Sequence, residues 1–226
     1  VRGAYNKIVQ LSPSEKQRGV IAASAGNHAQ GVALAAERLR IKATIVMPET
    51  TPEIKIDGVK KFGAKVILHG DDFSTAFAKA QEIANENSLV FIPPFDDPFV
   101  IAGQGTIALE LLRQYTKNIH AIFIPIGGGG LIAGIGSYIK MVRPEIKIIG
   151  VESDESASMY ASIKKGRRIT LKNVGIFADG VAVAQVGKEP FRLAKKVVDD
   201  IVLADVDQIC AAVKDFFEDT RAIAEP

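Results

Sequence analysis

Two short polar stretches in this 226-residue chain carry residue types that packing does not require. The first is Ser24-Ala25-Gly26-Asn27-His28, which follows an apolar run from Gly19 to Ala23 and leads into VALAAERL, a helical pattern. Free backbone N–H groups at a helix start, with the helix dipole behind them, can hold a carboxylate. Gly26 lets the ligand approach, and Asn27 offers a side chain that could bond a ring hydroxyl or amide. Helix capping by Ser24 or Asn27 alone is the competing reading, and composition leaves both open.

The second stretch is Gly127-Gly128-Gly129-Gly130, set between HAIFIPI and LIAGIGSYIKMV. A strand, a glycine turn and a helix form a seat for phosphate rather than a mere packing turn. The seat does not name its ligand. Gly128, Gly130 and Ala133 also fit the dinucleotide pattern G-x-G-x-x-A, with Glu152 about twenty residues on where a ribose-binding acid would lie, so an NAD-binding domain competes. No lysine follows the glycines as a nucleoside triphosphate site requires. His28 reads as a local hydrogen-bonding residue, and His69 and His120 as strand-edge residues. The motifs HExxH, CxxC and GxSxG are absent, and acids gather only loosely, in Glu152-Ser153-Asp154-Glu155-Ser156, so no metal is expected.

These turns need elements to hold them. The apolar runs GVIAAS, KATIVMP, AKVILHG, LVFIP, HAIFIPI, KIIGVE and DDIVLAD alternate with helical patterns. That rhythm predicts an α/β fold with open parallel sheets covered by helices on both faces. Three prolines in Pro93–Pro98 interrupt it and mark a boundary. The expected division is a small domain over residues 19–95 and a larger one over 1–18 plus 96–226.

Bulk properties exclude several classes. Apolar residues make up 47% and charged residues 24%, with a net charge of +2, so no nucleic-acid surface is expected. The basic cluster Lys164, Lys165, Arg167, Arg168 reads as a solvated turn. Ile119–Ile139 lacks Asp, Glu, Lys and Arg but holds Pro125 and six glycines, which fits a strand–turn–helix unit and not a membrane span. No signal peptide is visible. The single cysteine, Cys210, rules out an internal disulfide and, by helical spacing with Ile209, Val213 and Phe217, is expected to pack. A cytoplasmic protein is expected.

Taken together, VRGAYNKI, SAGNHAQGVA, IVMPETTPEIKID, FGAKVILHG, PPFDDPFVIAGQGTIALELL, PIGGGGLIAGI, FADGVAV and the closing AEP make the chain resemble the threonine dehydratases over nearly its whole length. These are pyridoxal-phosphate enzymes of fold type II, the tryptophan-synthase-β-like group. The combination of IGVES, FADGVAV and CAAVKDFFEDTRAIAEP resembles the biosynthetic branch, which makes 2-oxobutanoate for isoleucine.

The resemblance implies pyridoxal 5'-phosphate as cofactor and an amino acid as substrate. It implies that Ser24, Ala25, Gly26, Asn27 and His28 hold the substrate carboxylate, with Asn27 also bonding the 3'-oxygen of the cofactor ring. Gly127, Gly128, Gly129, Gly130 and Leu131 would hold the cofactor phosphate, Gly180 would lie near the ring, and Glu225 near its pyridine edge. Phe95 is placed as a candidate wall near the substrate β-carbon. The implied reaction is β-elimination of L-threonine to 2-oxobutanoate and ammonia, with weaker action on L-serine and a lysine as base for the α-proton. A homodimer or homotetramer is implied, with no membrane or nucleic-acid partner.

The family pattern also places the Schiff-base lysine immediately before Val1, so no catalytic residue is expected within the chain, which reads as the middle of a longer enzyme. A truncated, non-catalytic homologue that binds cofactor or partner chains is the alternative. Serine racemases of this group carry serine where Ala25 stands, and Ser158 stands where their metal-binding aspartate is expected. Both departures favour dehydration over racemisation.

Overall fold

The computed structural model describes residues Val1–Pro226 and holds two parallel sheets in two compact units, Val1–Gly103 and Gln104–Pro226. The strands expected from the apolar runs are all present.

The first unit opens with α1 (Arg2–Val9) and α2 (Pro13–Arg18). Then β1 (Val20–Ala23), β2 (Ala43–Met47), β3 (Lys65–Leu68) and β4 (Val90–Phe91) alternate with α3 (Asn27–Leu39), α4 (Glu53–Lys60) and α5 (Phe73–Glu86). The strands lie in the order β3-β2-β1-β4, all parallel. Every β1 residue is buried because successive side chains go to opposite faces and both faces are covered. Val20 and Ala22 join Ile45, Met47, Ala29, Val32 and Ala36 on one face. Ile21 and Ala23 join Val46 and the alanines Ala76, Ala80 and Ala84 of α5 on the other. Four-residue spacing puts those alanines on one stripe, so α5 lies close to the sheet.

The sequence division assigned residues 1–18 to the other body; in this structure Ala4, Ile8 and Leu11 pack in the same core as β1 and α3. Helix α6 (Pro98–Gln114) is longer than its apolar pattern suggests, beginning at Pro98.

The second unit holds β5 (Ala121–Pro125), α7 (Gly130–Val142), β6 (Lys147–Ser153), α8 (Ser158–Lys165), α9 (Lys188–Val197), β7 (Asp200–Ala204) and α10 (Val206–Thr220). Its strands are parallel in the order β5-β6-β7. Ile124, Ile126, Ile148, Ile132, Ile135, Ile139, Phe191 and Ala194 form one core between the sheet and helices α7 and α9. On the other face Phe123 is 65% exposed and Val202 is 41% exposed. The expected fold of open parallel sheets accompanied by helices is therefore present in both units. Helix α10 has no buried residue, and Cys210 on it is exposed, not packed.

Candidate functional site

In each parallel sheet the turns that leave the strands share one edge. In the first unit that edge holds Ser24–Gly26 after β1 and Ile92–Asp97 after β4, and β1 and β4 are hydrogen-bonded neighbours. In the second unit it holds Ile126–Gly129 after β5 and the turn after Glu152 and Ser153 of β6.

The helices that follow strands start in two ways. Five of them, α4, α5, α6, α8 and α10, have a carboxylate in or against the first turn: Glu53, Asp72, Asp97, Glu152 and Asp205. Such acids satisfy backbone N–H groups and offset the positive end of the helix. Helices α3 and α7 have none. Each begins on a glycine N-cap, Gly26 or Gly129, with no side-chain cap and no acid in the first turn. The N-cap of α3 is Gly26, and Ser24 bonds the Gly26 N–H. The two candidate seats are thus the two strand-following helix starts left electropositive.

The α3 turn is shaped by side chains. Ser24 Oγ accepts from the Gly26 N–H at 3.2 Å and tightens the turn. The His28 ring, half-buried, has Nε2 at 3.0 Å from the Ile92 carbonyl. A carbonyl only accepts, so Nε2 carries a proton. Burial, the leading cause, lowers the imidazole pKa to about 4; the bond to Ile92 opposes it. Any carboxylate at this turn therefore meets neutral donors and a helix dipole. The bond also joins α3 to the segment carrying Phe95, which is half-buried. The start of the chain lies here too: a Cβ at Gly31 of α3 would stand 2.9 Å from Val1 Cα and 3.0 Å from its nitrogen.

The α7 turn is shaped by backbone. Gly129 has φ +90°, and a Cβ there would lie 2.7 Å from Met159 Cε and 2.9 Å from Pro190 Cβ. At Gly127 a Cβ would meet the Val181 backbone at 3.1 Å, which brings the stretch containing Gly180 against this loop. Gly128 accepts from the Gly187 N–H at 3.0 Å. Gly128, Gly129 and Gly130 are buried and Leu131 half-buried. Around Gly180 itself there is open space. Glu225 lies exposed in the segment after α10.

Glu152 is not placed for a ribose. It is 1% exposed, and its two oxygens accept from the Met159 N–H at 2.8 Å and the Tyr160 N–H at 2.7 Å. Burial pushes its carboxyl up to about 7 in spite of those bonds. The carboxylate is committed to the start of α8, so the acid on which the dinucleotide reading relied is not available. A cation would compete with the same two N–H groups, and no group of three or more His, Cys, Asp and Glu is arranged to hold one.

Sequence reasoning missed Met159, which packs beneath Gly129, and the ion pair between Lys7 and Asp97. The first had no local signal. The second had one, because Asp followed by Pro is a helix-start signature.

Comparison with known proteins accords with this geometry. The family model described as pyridoxal-phosphate dependent enzyme matches residues 1–226. The chain is 59% identical over 226 residues to the L-threonine dehydratase biosynthetic IlvA of Pasteurella multocida, covering 100% of the chain and 44% of that protein. It superposes on the processed form of threonine deaminase isoform 2 from Solanum lycopersicum with a TM-score of 0.96 and 54% identity, over 99% of this chain and 65% of that one. Maize serine racemase gives a TM-score of 0.95 and 34% identity, over 100% of this chain and 68% of that one. The chain thus spans under half the length of the Pasteurella relative.

Proposed function

The chain belongs to the pyridoxal-phosphate dependent enzymes, and from that membership we propose that the protein is a threonine dehydratase that converts L-threonine to 2-oxobutanoate and ammonia, and acts more weakly on L-serine. The single observation that carries this reading is the pair of electropositive helix starts, α3 and α7, among strand-following helices that otherwise carry an acid.

The residues fit the cofactor. The Gly127–Gly130 loop presents backbone at a helix start, and a side chain at Gly127 or Gly129 would crowd Val181, or Met159 and Pro190. Gly127, Gly128, Gly129, Gly130 and Leu131 would hold the phosphate, with Gly180 and Glu225 assigned to the ring by the family pattern. When bound, pyridoxal phosphate supplies an electron sink for the charge left as the α-proton departs. Ser24, Ala25, Gly26, Asn27 and His28 would hold the substrate carboxylate at the α3 start. The neutral His28 ring keeps this turn's shape without adding charge. Ala25 has no proton to deliver to the opposite face of the α-carbon, which favours elimination over racemisation. Phe95, on the segment bonded to His28, would wall the β-methyl group. A lysine joined to Val1 would enter beside α3, since the Val1 nitrogen packs at Gly31.

The family pattern further supports a homodimer or homotetramer and a cytoplasmic location. No helix is long and apolar enough to cross a membrane. For the working bodies we keep residues 19–95 against 1–18 plus 96–226. The separate sheets support a two-body reading, and the packing of Ala4, Ile8 and Leu11 on the first sheet weighs against the assignment of residues 1–18.

The test is Gly128→Asp in the full-length polypeptide. A carboxylate there repels and obstructs the phosphate, so the affinity for pyridoxal phosphate, read by absorbance titration, should fall at least about 100-fold. An unchanged affinity would remove the phosphate seat from Gly127–Gly130.

A further inference from the structure

The segment from Ile92 to Asp97 leaves β4 beside the α3 turn and is tied down at both ends. At Ile92 the carbonyl receives the His28 ring at 3.0 Å. At the other end Asp97 is only 9% exposed and divides its two oxygens between two tasks. Oδ1 accepts from the N–H groups of Phe99 at 2.8 Å and Val100 at 3.2 Å, which caps α6. Oδ2 pairs with Lys7 Nζ of α1 at 2.8 Å, and the two side chains are 12% and 20% exposed. Capping needs one oxygen; the second serves to fix Asp97 to α1.

Helix α1 is itself immobilised at this contact. The Lys7 ammonium stands 5.2 Å from the centre of the Phe99 ring, and Asn6 Nδ2 donates to the Phe99 carbonyl at 2.7 Å. A Cβ at Gly3 would come within 2.7 Å of the Val100 carbonyl oxygen, and one at Gly103 within 2.6 Å of the Arg2 carbonyl oxygen. The backbones of α1 and α6 touch, so α1 cannot slide. Between the two anchors, Pro93 and Pro94 have fixed φ and no N–H to exchange for another partner. Phe95 stands in the middle of a short, stiff span.

We propose that the Lys7–Asp97 ion pair is a positioning device for substrate choice: by holding the end of this span to α1, it sets where Phe95 stands and so how strongly the site prefers a β-methyl substrate to one without it. This rests on the threonine reading above. The pair touches no reacting atom and acts through Phe95. Discrimination of one methyl depends on a wall at contact distance, and a shift of about 1 Å is enough to lose it.

The test uses the full-length polypeptide loaded with pyridoxal phosphate. kcat/KM is measured for L-threonine and L-serine, and inhibition constants for L-2-aminobutyrate and L-alanine, which differ by the same methyl group. Phe95→Ala sets the scale, lowering the threonine-to-serine ratio by about 10-fold. Lys7→Met and Asp97→Asn should each lower it about 3- to 10-fold, through the KM for threonine, and the 2-aminobutyrate-to-alanine preference should fall in parallel. Lys7→Arg should restore the ratio. In the Phe95→Ala background, Lys7→Met should change it no further, since both act through one wall. A lower melting temperature with unchanged ratios in Lys7→Met and Asp97→Asn overturns the proposal and leaves the pair as packing. A parent enzyme that releases no 2-oxobutanoate refutes the functional reading instead, and the inhibition constants then still decide the role of the pair.

Discussion

At Ser24–His28 the turn is held by side chains, with Ser24 on the Gly26 N–H and His28 on the Ile92 carbonyl. At Gly127–Gly130 it is held by backbone, with glycines fitted against Met159, Pro190 and Val181. Both lead to a helix start without a cap or an acid. The difference follows from what each is proposed to hold. A phosphate is always the same shape, so a cradle of backbone suits it and admits few variants. A carboxylate comes attached to different side chains, and a turn held by side chains can be retuned one residue at a time.

Three outcomes would break or sharpen this contrast. The largest effect belongs to Gly129→Ala. Its φ of +90° is unfavourable for alanine, and the new Cβ would collide with Met159 and Pro190. A loss of about 2–4 kcal/mol in denaturant unfolding is expected, together with a loss of affinity for pyridoxal phosphate of about 100-fold. Retention of both would mean the backbone loop tolerates side chains after all. Next comes Ser24→Ala, which removes one hydrogen bond from the other turn. KM for the amino acid should rise about 3- to 10-fold while cofactor affinity stays within about twofold of the parent. A fall in cofactor affinity of the same size would show that the two turns are not separable in function.

The smallest effect is a pair of opposed pH slopes. The His28 pKa is lowered to about 4, so between pH 6.5 and about 4 the unfolded chain holds a proton there that the folded one refuses. Stability from this source falls as pH falls. The Glu152 pKa is raised to about 7, so between pH 4.5 and about 7 the folded chain holds the extra proton, and stability from this source falls as pH rises. Each contributes on the order of 1 kcal/mol across its window once solvent relaxation is allowed for. Hydrogen exchange followed from pH 5 to 6.5 should show β1 gaining protection and β6 losing it as pH rises. His28→Asn should flatten the first slope, and Glu152→Gln the second. Slopes of the same sign in the two units would contradict the assignment.

The strands and the two glycine-capped helices were legible because their signals are local: apolar runs bounded by small or polar residues. The two candidate turns, one in each unit, could be picked out for the same reason. What escaped was nonlocal. Helix α8 is started by Glu152, several residues upstream on β6, so SMYASIKK has no adjacent cap to announce it. Helix α9 begins Lys-Glu-Pro, with Pro190 in its first turn, and was not among the helical patterns read from the sequence. In PPFDDP the start of α6 at Asp97 and Pro98 went unread. The expectation that Cys210 packs followed from helical spacing alone, which reports a face but not whether anything covers it.

The glycine caps of α3 and α7 have a consequence beyond recognition. Where neighbouring helices carry their own acid, these two, on the proposed reading, leave that place to a ligand. The anion then does what Asp72 and Asp205 do elsewhere, and it becomes in effect a removable part of the fold. A ligand at a hundredfold excess over its dissociation constant stabilises the folded state by about 2.7 kcal/mol through mass action. The lifetime of the protein in a cell would then follow the supply of the vitamin from which the cofactor is made. Scarcity would thin the population of the enzyme through proteolysis as well as idling each copy.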